Sequence, residues 1–108
     1  MSLIYEVNLE VKDKIAPHFS DWLIQHIQEM LQFDGFNSAQ WYSRQNLDED
    51  NHNPVQLWTI HYQLKDRETY EQYVLNHAEA MREDGLNRFG GQFQATRRLL
   101  YRESTYAL

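Results

Sequence analysis

Leu3-Ile4-Tyr5-Glu6-Val7-Asn8-Leu9-Glu10-Val11-Lys12 is the stretch that decides the fold. Tyr5, Val7, Leu9 and Val11 fall on one side of it, and Ile4, Glu6, Asn8 and Glu10 on the other. A period of two is the signature of a β-strand with two unlike faces. Such a strand must lay its apolar face on something, and the segments that follow supply it.

Asp13 is a candidate N-cap, with Pro17 tolerated in the first turn beyond it. Ile15, Phe19, Trp22, Leu23, His26, Ile27, Met30 and Leu31 then recur at three- and four-residue steps, which predicts a long amphipathic helix. Gly35 supplies its C-terminal stop. Phe36 to Arg44 reads as a second strand, with Trp41 and Tyr42 favouring extended backbone. The polar, acidic run from Leu47 to Pro54, which includes Asp50, Asn51 and His52, reads as a solvated hairpin loop. Val55 to Leu64 reads as a third strand. Val55, Leu57, Thr59 and His61 lie on one face, and Trp58, Ile60, Tyr62 and Leu64 on the other. Both faces carry bulky groups, so both are expected to be covered. Asp66 is placed to cap a second helix whose buried stripe is Tyr70, Tyr73, Val74, His77 and Met81. Asp84-Gly85 is expected to break that helix, with Leu86 to Phe89 a further short turn. Phe93 to Glu103 reads as the last strand, and Ser104 to Leu108 as a tail.

The order βαββαβ is the split-βαβ, ferredoxin-like arrangement of the α+β class. It places two helices on one face of a four-stranded antiparallel sheet. With 108 residues the chain fits a single domain, 1–108. The 3 Trp, 7 Tyr and 5 Phe exceed what two helices would hide, which calls for an interface or a cavity besides the core. A homodimer packed sheet to sheet would cover the second face, and two-fold dimers are the commonest oligomers. Against 16 acidic residues stand 10 basic ones, a formal charge of -6, and such a field repels nucleic acid and anionic membranes. Cysteine is absent, which excludes disulfides, thiolate nucleophiles and Cys-ligated zinc. The first residues show no signal-peptide pattern, and no apolar run approaches the ~20 residues of a membrane helix. A soluble cytoplasmic protein is the expectation, with neither nucleic acid nor membrane as partner.

Three segments carry a family resemblance: Ile4-Tyr5-Glu6-Val7-Asn8-Leu9-Glu10-Val11, Asp84-Gly85-Leu86-Asn87-Arg88-Phe89-Gly90 and Phe93-Gln94-Ala95-Thr96-Arg97-Arg98. They resemble the bacterial domain-of-unknown-function family 4286, nearly end to end, with the DGLxRFG segment the most distinctive piece. The resemblance implies a dimeric α/β barrel fold and carries no activity with it.

Candidate site residues are weighed against plainer roles. His77, on the expected stripe of the second helix, is either a ligand-facing or haem-ligating imidazole or a core histidine satisfied by a backbone carbonyl. Haem-degrading members of the dimeric α/β barrel superfamily use an Asn from the first strand, a Trp and a His from the second helix; that resemblance would assign Asn8, Trp58 and His77 to haem. His61 is a candidate acid or base in a dimer cavity, or a polar residue at the seam. Arg98 and Arg102 share one strand face and Arg97 takes the other, so an anion could be held there, unless Glu6, Glu10 or Glu103 pairs with them. His18 and His26, eight residues apart, cannot chelate one metal. No metal-binding, nucleotide-binding or nucleophile motif is present, so no metal or cofactor is expected, and haem stays an alternative. The reading is a homodimeric domain that binds a small apolar or anionic molecule in an aromatic-lined cavity formed by Tyr5, Trp41, Trp58, His61, His77 and Arg98. Alternatives are a cofactor-independent monooxygenase or haem-degrading enzyme of the same fold, and a non-catalytic protein-interaction module.

Overall fold

Alternation in Leu3–Lys12 produces strand β1, which forms the sheet's spine. In this computed structural model, which describes residues 2–49 and 53–108, β1 is paired on both sides. Strand β3, Val55–Leu64, runs antiparallel along one edge with Leu3 opposite Leu64 and Lys12 opposite Val55. Strand β4, Phe93–Tyr101, runs antiparallel along the other. Strand β2, Phe36–Ser43, completes the order β2-β3-β1-β4 from outside β3. This is the ferredoxin-like βαββαβ sheet, with each parallel pair split by an antiparallel strand between.

The pairing register sorts the side chains. Leu3, Tyr5, Leu9 and Val11 of β1 and Trp58, Ile60, Tyr62 and Leu64 of β3 share one face and are buried. Helix α1, Ala16–Met30, covers them with Phe19, Leu23 and Met30. Helices α2, Arg67–Asn76, and α3, Ala78–Phe89, add Tyr73 and Ala78. Burying each large side chain stabilises the layer by roughly 1.5–3 kcal/mol. The result is a slab of 39 × 39 × 18 Å with helices on one side of the sheet only.

Three local expectations need correction. Asp13 does not cap α1. It opens a 3₁₀ turn, Asp13–Ile15, and its carboxylate accepts from Gln56 on β3. The second helix does not end at Asp84-Gly85 but runs on to Phe89; the interruption falls at His77, whose φ of -134° separates α2 from α3. His77 and Val74 are exposed rather than part of a buried stripe. The second face of β3 is uncovered by any helix and carries Val55, Leu57, Thr59, His61 and Gln63. Asp66 does cap α2, accepting from both the amide and the hydroxyl of Thr69 at 2.8 Å. Asp50, Asn51 and His52 of the expected hairpin loop lie outside the described residues. No helix among the described residues is long and apolar enough to cross a membrane.

Candidate ligand site

Between the sheet and its helices lies a cavity of about 50 Å³. Its floor is Tyr5, Val7 and Leu9 of β1, Ile60 and Tyr62 of β3, and Phe93, Ala95 and Arg97 of β4. Its roof is Phe19, Trp22, Leu23, His26 and Met30 of α1, with Tyr73, Met81, Arg82 and Gly85 of α2 and α3. Tyr5 stands at the centre of the tyrosines, its ring 5.9 Å from Tyr62, 5.4 Å from Tyr70 and 5.8 Å from Tyr73. Its hydroxyl accepts from Arg82 Nη2 at 3.3 Å. Burial pushes the Tyr62 and Tyr73 hydroxyls above their ordinary range, so both stay neutral. Burial also pulls His26 down to about 4, with Arg97 adding to the fall and Asp84 opposing it. At neutral pH the imidazole is therefore uncharged, stacked on Trp22 with centroids 4.6 Å apart.

The DGLNRFG segment meets this cavity through Gly85. Asp84 accepts from Trp22 Nε1 at 2.7 Å and from Arg88 Nε at 3.2 Å, and these partners hold its carboxyl below the usual range. Gly85 is buried against the Trp22 ring, where a Cβ would sit 3.0 Å from Cη2. Phe89 packs on Phe19 and Trp22 at 5.0 and 5.8 Å. The segment thus docks α3 on α1 through Trp22.

On the other, uncovered sheet face a polar network joins β1, β3 and β4 and takes in Arg44 at the end of β2. Glu6 accepts from His61 at 2.8 Å, from Asn8 at 2.9 Å and from Arg98. Asn8 accepts in turn from Thr59 at 2.7 Å and Arg44 at 3.2 Å, and Arg44, just beyond β2, also reaches Thr59 and the Trp58 carbonyl. Glu6 is only 4 % exposed although no helix lies over it. Burial raises its carboxyl, but the hydrogen bonds from Arg98, Asn8 and His61 outweigh this and hold it at about 2.

The expected site residues are therefore divided. Tyr5 lines the cavity. Trp41 and Trp58 meet edge to face at 5.0 Å in the core beyond it and are not among its lining residues. Asn8, His61 and Arg98 belong to the network on the opposite face. Arg98 is taken by Glu6, and Arg102 lies beyond the end of β4. His77 stacks on Phe33 at 4.2 Å beside an open groove of about 510 Å³. Asn8, Trp58 and His77 do not form a haem site, because Asn8 and Trp58 point to opposite faces of the sheet and His77 lies at the α2–α3 junction. Among the described residues no group of three or more His, Asp or Glu is placed to hold a metal. Of the cavity residues, sequence reasoning selected only Tyr5 for the site; Trp22, His26, Tyr73, Arg82 and Arg97 are among those it did not select. Trp22, His26 and Tyr73 are legible as buried, and Arg97 as facing away from Arg98; nothing local marks them as neighbours.

The fold and its helix-roofed cavity put the chain among ferredoxin-like proteins that resemble the dimeric α/β barrels. Residues 2–103 match the family described as Domain of unknown function (DUF4286), and the chain belongs to that family. Among curated proteins no sequence matches it. Solved structures share its architecture. SnoaB, a cofactor-independent oxygenase from Streptomyces nogalater, aligns over 97 % of both chains with a TM-score of 0.65 and 10 % identity. A dimeric ferredoxin-like protein from an uncultured marine organism aligns over 95 % of this chain and 98 % of its own, with a TM-score of 0.64 and 15 % identity. A conserved protein from Methanosarcina mazei Go1 aligns over 96 % and 94 %, with a TM-score of 0.67 and 17 % identity. At these identities the likeness is one of fold.

Proposed function

We propose that the chain acts as a single domain that pairs with a second copy through its uncovered sheet face and binds a small molecule in the cavity between sheet and helices. The observation that carries this reading is the cavity itself, apolar and aromatic on most sides with a few convergent polar groups, as ligand sites usually are. The dimeric neighbour of the same fold supports the pairing. A space of about 50 Å³ suits a molecule of few atoms and leaves no room for a macrocycle, which argues against haem. The oxygenase SnoaB has the same fold, but at 10 % identity that likeness carries no chemistry across, so binding is the function proposed.

The test is a screen of small neutral and charged compounds against the labelled protein, read by NMR at the Trp22 indole N–H. The expected result is saturable shifts at Trp22 and its cavity neighbours, abolished when Ala95→Leu fills the space from the floor. A folded Ala95→Leu variant that binds as well as wild type, or a screen with no shift at Trp22, would sink the reading.

A further inference from the structure

Arg82 and Arg97 both line the cavity, and no Asp or Glu does. Neither guanidinium has an ion-pair partner among the described residues. In a chain with more acidic than basic residues this is a local inversion of charge. The nearby carboxylate of Asp84 is already engaged by Trp22 and Arg88. Arg82 Nε is buried with no hydrogen-bond partner. Its Nη2 makes only a long contact, 3.3 Å, to Tyr5. Buried donors normally find partners, and one left without is unfavourable, the more so when charged. An Arg Nε with a neighbouring Nη forms the fork that receives a carboxylate through two parallel hydrogen bonds.

Resting on the cavity reading above, we infer that the ligand is a short-chain monocarboxylate, held by its carboxylate on Arg82 with Arg97 as a second positive charge, and with its apolar tail against Phe19, Met81 and Phe93. Size limits the tail. A water needs roughly 10–15 Å³ of such space, so about 50 Å³ holds on the order of four waters, or an acid of similar atom count. The neutral imidazole of His26 and the neutral tyrosines neither compete for the arginines nor repel the anion. Arg82 is half-buried with its Nε enclosed, so its charge acts there with less screening than that of the exposed Arg97, and the negative net charge of the chain elsewhere is a weaker, salt-screened influence.

Propionate and its neutral isostere propionamide are titrated into the full chain, following the Trp22 indole N–H. Propionate is expected to bind saturably and at least tenfold more tightly than propionamide. Arg82→Gln should lose at least tenfold of that affinity, Arg82→Lys should recover part of it, and Arg97→Gln should lose severalfold. Hexanoate should bind more weakly than propionate because its tail does not fit. Equal binding of propionate and propionamide overturns the anion inference while leaving the cavity reading intact. Neutral compounds that bind while propionate does not overturn it in the same way. Failure of every compound, neutral or charged, overturns both. If Arg82→Gln does not fold, the acid–amide ratio on wild type and the Arg97→Gln titration decide.

Discussion

Glu6 and His26 are titratable groups on opposite sides of the sheet, and each ties stability to pH. Glu6 titrates at about 2 against an ordinary 4.5. A carboxyl with a depressed folded-state pKa stabilises above its unfolded value and loses that contribution as pH falls. For Glu6 the window runs from 4.5 down to about 2, and the amount has a ceiling of about 3 kcal/mol at one pKa unit per ~1.4 kcal/mol, reduced by solvent screening because the Arg98 side chain is 67 % exposed. His26 is lowered from 6.5 to about 4, so the unfolded chain binds a proton that the folded chain refuses. Its contribution is whole above pH 6.5, declines as pH falls, and is gone below about 4, with a ceiling of about 3 kcal/mol. Urea denaturation across pH should therefore show stability falling first between 6.5 and 4 through His26, then between 4.5 and 2 through Glu6. His26→Gln should flatten the first limb and leave the second; an unchanged slope between 6.5 and 4 would mean that His26 is not held neutral by the fold.

Helix α3 depends on a tertiary contact that its own sequence does not announce. Glycine inside a helix costs ~1 kcal/mol relative to alanine, so Gly85→Ala should stabilise if propensity ruled. The added Cβ would instead press on Trp22 at 3.0 Å and reach Phe93 at 3.5 Å. Trp22 cannot easily give way, since Asp84 holds its indole N–H and His26 stacks on its ring. Overpacking costs ~1–3 kcal/mol, so Gly85→Ala should destabilise by about 1 kcal/mol net. In a Trp22→Phe background, with the larger ring gone, the same change should become neutral or stabilising. A double-mutant cycle by thermal or urea unfolding measures this, and additive effects would refute the contact. The same residue shows where sequence reading stops. The alternation in Leu3–Lys12 and Val55–Leu64 marks both strands at their observed bounds, because period two is a local property of each segment. Asp84-Gly85 reads locally as a stop, yet the glycine is there for a tryptophan on another helix, and the helix continues. His77 offers no breaker signal, although the chain kinks there. The cavity is legible only through Tyr5, for a similar reason: Trp22, His26, Tyr73, Arg82 and Arg97 are brought together by the packing of helices on the sheet, and a buried stripe in sequence looks alike whether it fills a core or walls a cavity.

The slab is 18 Å thick because one sheet face has no layer over it, and the chemistry of that face bears on what covers it. Bulky residues on both sides of β3 lead the sequence reader to an apolar second face; the structure instead shows a network in which Glu6, Asn8, Thr59, His61, Arg44 and Arg98 already pair with one another. Polar groups can be covered without large penalty only when their hydrogen bonds are met, and here the protomer meets them itself. Half-buried Ile4, Val55, Leu57 and Leu100 lie around the network and supply apolar area for contact. A second copy laid on this face would thus bury apolar surface around a self-satisfied polar centre, which is how the proposed dimer gains affinity without stranding Glu6. Leu57→Asp puts an unpaired carboxylate on that face and, in a two-fold dimer, does so twice. Sedimentation velocity should show wild type as a dimer and Leu57→Asp as a folded monomer, with the cavity and its Trp22 indole signal unchanged because they lie on the other side of the sheet. A wild-type chain that sediments as a monomer throughout the micromolar range would remove the dimer. A Leu57→Asp variant that stays dimeric would move the interface to a surface other than this face.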